Sequence, residues 1–128
     1  MSSQFLPTGY PRVSPYLLVS SSERTINFMV QVFGAVELRR MARPDGSVMH
    51  AEIRLDDSVI MMGDATADWP PLPAFLHVYV PDVDETYRNA LAAGAESVQE
   101  PVQKGDEDKR GGVKDPGGTT WWIATKVE

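Results

Sequence analysis

Apolar and polar residues alternate with a period of two in several short runs and follow a helical period in two longer ones, and the order of these runs occurs twice. The first strand is expected over residues 13–19. Ser20, Ser21, Ser22 and Glu23 then have capping-box spacing and open a helix that runs to about Phe33, where Gly34 closes it. Strands follow over residues 36–42, 49–55 and 59–62, joined by turns at Pro44-Asp45-Gly46 and Asp56-Asp57-Ser58. Trp69-Pro70-Pro71-Leu72-Pro73 is too rich in proline for regular structure and reads as a linker. Beyond it the pattern repeats: a strand over residues 75–80, an acidic helix start at Asp82 to Glu85, a helix end at Gly94, and a last strand over residues 119–125 after Asp115-Pro116-Gly117-Gly118. A constant shift of 60 maps Gly34 onto Gly94 and places Val59 to Met62 on Thr119 to Trp122, so the chain reads as strand-helix-strand-strand-strand written twice.

Alternation also assigns faces. Trp121 and Trp122 are adjacent in a strand and must point to opposite sides, so only one belongs to an ordinary core. The aliphatic sets Leu17 and Val19, Leu76, Val78 and Val80, and Met49, Ala51, Ile53 and Leu55 are expected under the helices, with Met61 and Trp121. The opposite face then carries Ser14, Tyr16 and Leu18, His50, Glu52 and Arg54, Phe75, His77 and Tyr79, and, counted by the shift of 60, Ile60, Met62, Thr120 and Trp122.

With 128 residues and 42% apolar content the chain suits one domain over residues 13–127, preceded by an aperiodic arm over residues 1–12. Module one takes residues 13–66, the linker 67–73 and module two 74–127. A net charge of −6 and no basic patch argue against nucleic acid or an anionic membrane as partner. The absence of cysteine removes thiolate metal sites and cysteine nucleophiles and fits a reducing compartment; with no signal pattern and no long apolar run, a soluble cytoplasmic protein is expected.

The duplicated pattern, the Val80-Pro81-Asp82-Val83-Asp84 junction, Ala93-Gly94-Ala95 and Asp115-Pro116-Gly117 resemble the vicinal oxygen chelate superfamily of glyoxalases, bleomycin-resistance proteins and extradiol dioxygenases. Ser14 to Leu18, Met49 to Glu52, Met61 to Asp64 and the Trp-Trp strand are similar to its glyoxalase-like or PhnB-like branch. The resemblance implies an α+β fold in which two βαβββ modules pair into a half-open, curved sheet, a cup with helices outside. Metal-bearing relatives place His or Glu on the first, fourth, fifth and eighth strands; here those positions are expected to be Ser14, Met62, Phe75 and Trp122, none a suitable ligand, so no metal cofactor is expected. His50, Glu52, His77 and Asp64 remain for a relocated site. For the two histidines the plainer reading is half-buried polar residues satisfied by Glu52, Tyr16 or Tyr79. Met62 and Trp122 are open to two readings, sheet packing or cup wall.

The resulting expectation is a metal-independent binder of a small organic ligand, with walls from Tyr16, Met62, Phe75, Tyr79 and Trp122 and orienting groups from His50, Glu52, His77 and Arg110. Arg110, the counterpart of His50, is expected at the cup rim opposite Glu52, where its fork suits an anionic group. A homodimer is expected, with Phe5, Leu6 and Tyr10 available to pin the arm to a neighbour. The rival is a metal-dependent lyase, isomerase or dioxygenase of the same superfamily; a third reading is a subunit whose aromatics serve assembly alone.

Overall fold

A computed structural model describes residues 5–105 and 107–127. The elements alternate as the hydrophobic pattern requires: β1 (Tyr16–Val19), α1 (Ser22–Phe33), β2 (Val36–Ala42), β3 (Val48–Leu55), β4 (Ser58–Asp64), β5 (Phe75–Tyr79), α2 (Val83–Ala92), β6 (Glu96–Gln103), β7 (Asp108–Lys114) and β8 (Thr120–Lys126). They form two four-stranded sheets, ordered β1-β4-β3-β2 and β5-β8-β7-β6. In each, the first strand runs parallel to the fourth and the remaining pairs are antiparallel, which makes two βαβββ modules. None of the helices among the described residues is long and apolar enough to cross a membrane.

Helix α1 is capped one residue later than the sequence spacing suggests, because the Ser21 side chain, not Ser20, accepts from the Arg24 N–H at 3.2 Å. The Asp82 side chain caps α2 by accepting from the Glu85 N–H at 3.1 Å. Gly34 ends α1 with φ of 69°, a left-handed position that glycine takes without a Cβ penalty. Leu17, Val19, Ala51, Ile53 and Met62 of the first sheet share one core with Val113, Trp121 and Ile123 of the second and with both helices. Trp121 is the joint: its ring lies 6.5 Å from Phe28 and 5.0 Å from Phe33 of α1 by centroid, so module two packs its last strand against the helix of module one.

Asp115 locks that joint. Its carboxylate accepts from the backbone N–H groups of Gly117 (2.8 Å) and Thr119 (3.1 Å) and from the Trp121 indole N–H (2.8 Å) while 3% exposed. The Asp-Pro-Gly-Gly signal is therefore a turn whose first residue also fixes the core tryptophan. Ser20 Oγ donates to the Gly117 carbonyl at 3.1 Å, and a Cβ on Gly117 would stand 1.9 Å from Thr25 Oγ1 of α1, so only glycine permits this approach.

Two face assignments differ from the sequence expectation. Met62 is fully buried and pairs with Ala51 and Leu17 on the core side, as Ile60 does with Ile53; Met61, between Tyr16 and Glu52, takes the outer face. The cause is turn length. The β3–β4 turn has two residues between paired Leu55 and Ser58, whereas Pro116, Gly117 and Gly118 form three between Asp115 and Thr119, whose N–H and C=O bond at 2.8 Å. The shift of 60 therefore holds from β3 to β7 and becomes 61 from β4 to β8, and one residue of slip reverses a strand's faces. Met49 is the second case. Met41 pairs with His50 but Ala42 with Val48, so Met49 is the extra residue of a bulge, exposed, while Val48 enters the core.

Candidate functional site

The outer face of the first sheet carries a connected polar cluster. His50 Nε2 lies 2.8 Å from Glu52 Oε2, His50 Nδ1 lies 3.1 Å from the Tyr16 hydroxyl, and the Tyr10 hydroxyl donates to Glu52 Oε1. Strand alternation places His50 and Glu52 on one face, and the parallel β1–β4 pairing brings Tyr16 alongside, its ring stacked on His50 at 5.5 Å. Glu52 is 6% exposed. Burial favours its protonated form, but the hydrogen bonds from Tyr10 and His50, helped by Arg39, outweigh burial and hold the carboxyl below its ordinary value. The N-terminal arm folds over its own sheet here: Leu6, Pro7 and Tyr10 line a hollow of about 440 Å³ with Arg39, Glu52 and Met61.

The second sheet has an equivalent cluster with different chemistry. His77 stands where Tyr16 stands, and Arg110 where His50 stands; Arg110 Nε donates to His77 Nε2 at 3.1 Å, and Arg110 Nη2 lies 2.8 Å from Asp108 Oδ2, which also accepts from the Tyr79 hydroxyl at 2.8 Å. Burial first, then the Arg110 cation, lowers the His77 pKa against the opposing pull of Asp108, so the ring is neutral near pH 7. The hydrogen bond to Asp108 raises the Tyr79 pKa. Trp122 lies over Gly112, where a Cβ would meet its ring at 2.7 Å. Phe75 and Tyr79 are 72% and 64% exposed.

The sequence-derived residues thus divide between two sheets. Tyr16, His50 and Glu52 come together, and so do His77, Tyr79 and Arg110, with Trp122 across the same strand pairs. Arg110 bonds His77 and Asp108 within the second sheet, on a strand paired through Val102 and Ala124. The mixed-charge segment over residues 103–112, whose composition suits a solvated loop or a lid, is strand at Gln103 and again from Asp108 onward, and Asp106 within it lies outside the described residues. Asp64, a candidate for a relocated metal site, instead accepts from the backbone N–H groups of Ser22 (2.7 Å) and Val48 (2.9 Å), which overcome burial and lower its pKa.

One lining escapes sequence reasoning. A groove of about 550 Å³ opens between the β1 and β4 ends and the linker, lined by Tyr16, Leu18, Arg43, Met49, Trp69 and Leu72 among others. By composition the linker is only a connection. The signal for more is Trp69 beside the prolines: a turn holds the backbone, with the Thr66 N–H donating to the Trp69 carbonyl at 2.8 Å, while the indole is 67% exposed.

A match to the model of the Glyoxalase/Bleomycin resistance protein/Dioxygenase superfamily covers residues 11–123. The chain belongs to this superfamily. An uncharacterised protein of Mycobacterium bovis is 34% identical over 91% of the chain and 84% of its own length. Among solved structures, TioX from Micromonospora sp. ML1 has a TM-score of 0.74 at 24% identity, covering 91% of this chain and 99% of its own. A PhnB protein from Bacillus cereus, described as a putative 3-demethylubiquinone-9 3-methyltransferase, has a TM-score of 0.72 at 19% identity, covering 90% and 99%. At these identities the two structures establish the shared fold alone.

The metal implied by many superfamily members does not fit this donor set. With the β4 correction, the corresponding outer-face positions are Ser14, Met61, Phe75 and Trp122: a neutral hydroxyl, a soft thioether and two rings without a donor lone pair. Among the described residues, no three His, Cys, Asp or Glu side chains are grouped to hold a metal ion.

Proposed function

We propose that this superfamily member is a metal-independent small-molecule-binding protein of the glyoxalase/bleomycin-resistance type. The observation that carries the reading is the replacement of the expected ligand set by Ser14, Met61, Phe75 and Trp122 on sheet faces that carry exposed aromatics. Apolar surface at Tyr16, Phe75, Tyr79 and Trp122 supplies contact area, and His50, Glu52, His77 and Arg110 supply orientation. Met62, buried under the helices, is replaced in this set by Met61. Arg110 has Asp108 as counter-ion, so the second face favours a polar or zwitterionic group over a bare anion. The absence of cysteine from the sequence supports a reducing, cytoplasmic setting.

A second copy of the chain is the partner that would cover these faces, since large aromatic rings left in water on both sheets favour association. Two measurements test the reading together. Elemental analysis of protein purified without chelator should give well below one equivalent of divalent metal, and a thermal-shift screen of flat organic compounds should raise the midpoint for some. One equivalent of zinc, nickel, iron or manganese retained through dialysis would overturn it in favour of the metal-dependent enzyme. A monomer at all micromolar concentrations in sedimentation would remove the dimer.

A further inference from the structure

We propose that Tyr16, His50 and Glu52 form a metal-free proton relay whose working end is the Tyr16 phenol, acting on a flat organic molecule with an acidic C–H or N–H held in the groove beside Trp69 and Leu72. The proposal rests on the small-molecule reading above and adds chemistry to it.

The hydrogen bonds have one direction. An ionised carboxylate only accepts, and both Glu52 oxygens are engaged, Oε1 by the Tyr10 hydroxyl and Oε2 by His50 Nε2 at 2.8 Å. Nε2 therefore carries the imidazole proton of neutral His50, and Nδ1 is bare. The Tyr16 hydroxyl, 3.1 Å away, is then the donor to Nδ1. Its oxygen lone pairs remain free to accept from a molecule in the groove that Tyr16 itself lines. A nucleophile or base, an imidazole behind it and a carboxylate orienting the imidazole is the arrangement by which side chains activate a weak hydroxyl.

Access to the hydroxyl is built in. Gly63 lies beside it, and a Cβ there would come 3.3 Å from Tyr16 Oη and 2.7 Å from the Met49 carbonyl oxygen. Leu72, whose N–H donates to the Leu18 carbonyl at 3.1 Å, and the anchored Trp69 form the apolar wall. Arg43 lines the same groove, held by the Val48 and Asp64 carbonyls at 3.3 Å, and places a cation where negative charge on the ligand would develop.

The step balances without a co-reactant. The ligand X–H bond breaks, its proton goes to the Tyr16 oxygen as the phenol proton passes to His50 Nδ1, and the electron pair stays on the ligand. His50 becomes an imidazolium flanked by Tyr16 and the Glu52 carboxylate. Reversal returns the proton to the same or a different atom of the ligand, so the reaction class is tautomerisation or elimination of a leaving group already on the ligand. The charged groups facing the relay are Glu52 itself, Arg39 opposite it on β2, Arg54 near Tyr10, and Arg43 and Asp64 in the groove.

The test uses the full chain and 5-nitrobenzisoxazole, a flat probe that loses its ring C–H proton to a base while its N–O bond opens, giving a coloured cyano-nitrophenolate. Wild type should accelerate this above buffer, with an acid limb in the pH–rate profile. Tyr16→Phe, an exposed position where folding is preserved, and His50→Gln should lower kcat/KM at least tenfold, and the acid limb should vanish in His50→Gln. Quenching of tryptophan emission by the probe, lost in Trp69→Phe, reports binding separately. Quenching that persists with no acceleration, or with Tyr16→Phe as fast as wild type, overturns the relay and leaves the binding reading standing; absence of both quenching and rate overturns both.

Discussion

Trp121→Ala would remove the largest fully buried side chain among the described residues, packed against Phe28 and Phe33 and bonded to Asp115. Emptying such a site costs roughly 3–5 kcal/mol in lost transfer energy and cavity. Leaving one Asp115 oxygen short of its donor inside the core adds about 1–3 kcal/mol. Against a typical total of roughly 5–15 kcal/mol, the variant should be marginally folded. Over 128 residues the unfolding entropy of about 2.1 cal/mol/K per residue makes each kcal/mol worth roughly 4 °C, so the thermal midpoint should fall by more than about 10 °C. Trp121→Phe separates the two effects, because it keeps most of the apolar volume and removes only the indole donor. Trp122→Ala, on the outer face over Gly112, should lose about 1–2 kcal/mol, since the space it vacates opens to water. Urea midpoints on the three variants decide the matter. If Trp122→Ala unfolds the protein while Trp121→Ala is mild, the β8 faces are reversed and the outer-face cluster of the second sheet is wrongly composed.

Met62→Ala should cost roughly 2–5 kcal/mol while Met61→Ala costs far less, a direct check by denaturation of the one-residue turn difference. Gly117→Ala should destabilise by about 1–3 kcal/mol, as its Cβ meets Thr25 and the Ser21 carbonyl; a neutral result would show that the module joint gives way. Glu52 has a folded-state pKa below its unfolded value, so it contributes stability above the unfolded value that is lost as pH falls through the folded one. Wild type should therefore weaken below about pH 4.5 and Glu52→Gln should flatten that part of the curve in pH-dependent melts. A slope unchanged in the variant would refute the assignment.

The fold is largely legible in the sequence because each signal is local. Alternation, the Asp82 cap, the glycines that end the helices and the Asp115 turn all act within a few residues, and the strands lie close to where these put them. What fails is phase. Periodicity gives two faces but not their absolute assignment across a turn, and the duplicate cannot be counted through a loop that differs by one residue, so the count puts Met62 and Ile60 on the wrong side. The bulge at Met49 misleads in the same way. Alternation brings His50, Glu52 and Tyr16 correctly to one face because they need no count through the irregular positions. Pairing of Arg110 with Asp108 and His77 depends on which sheet each strand joins, information that no single segment carries. Trp69 and Leu72 escape notice because proline content describes backbone shape and is silent about what adjacent side chains face.

Proline also bears on how the two halves meet. Pro70, Pro71 and Pro73 restrict the connecting segment even in the unfolded chain, which therefore samples fewer arrangements of one half relative to the other. The Leu72 N–H, the one donor between these prolines, is engaged by the Leu18 carbonyl, which ties the segment to the first sheet once that sheet exists. The second half is thus presented to the first at a high effective concentration, from one side and over a short reach. Two separately made halves would lack this tether and would have to find each other by diffusion, with the Trp121 ring exposed until they did.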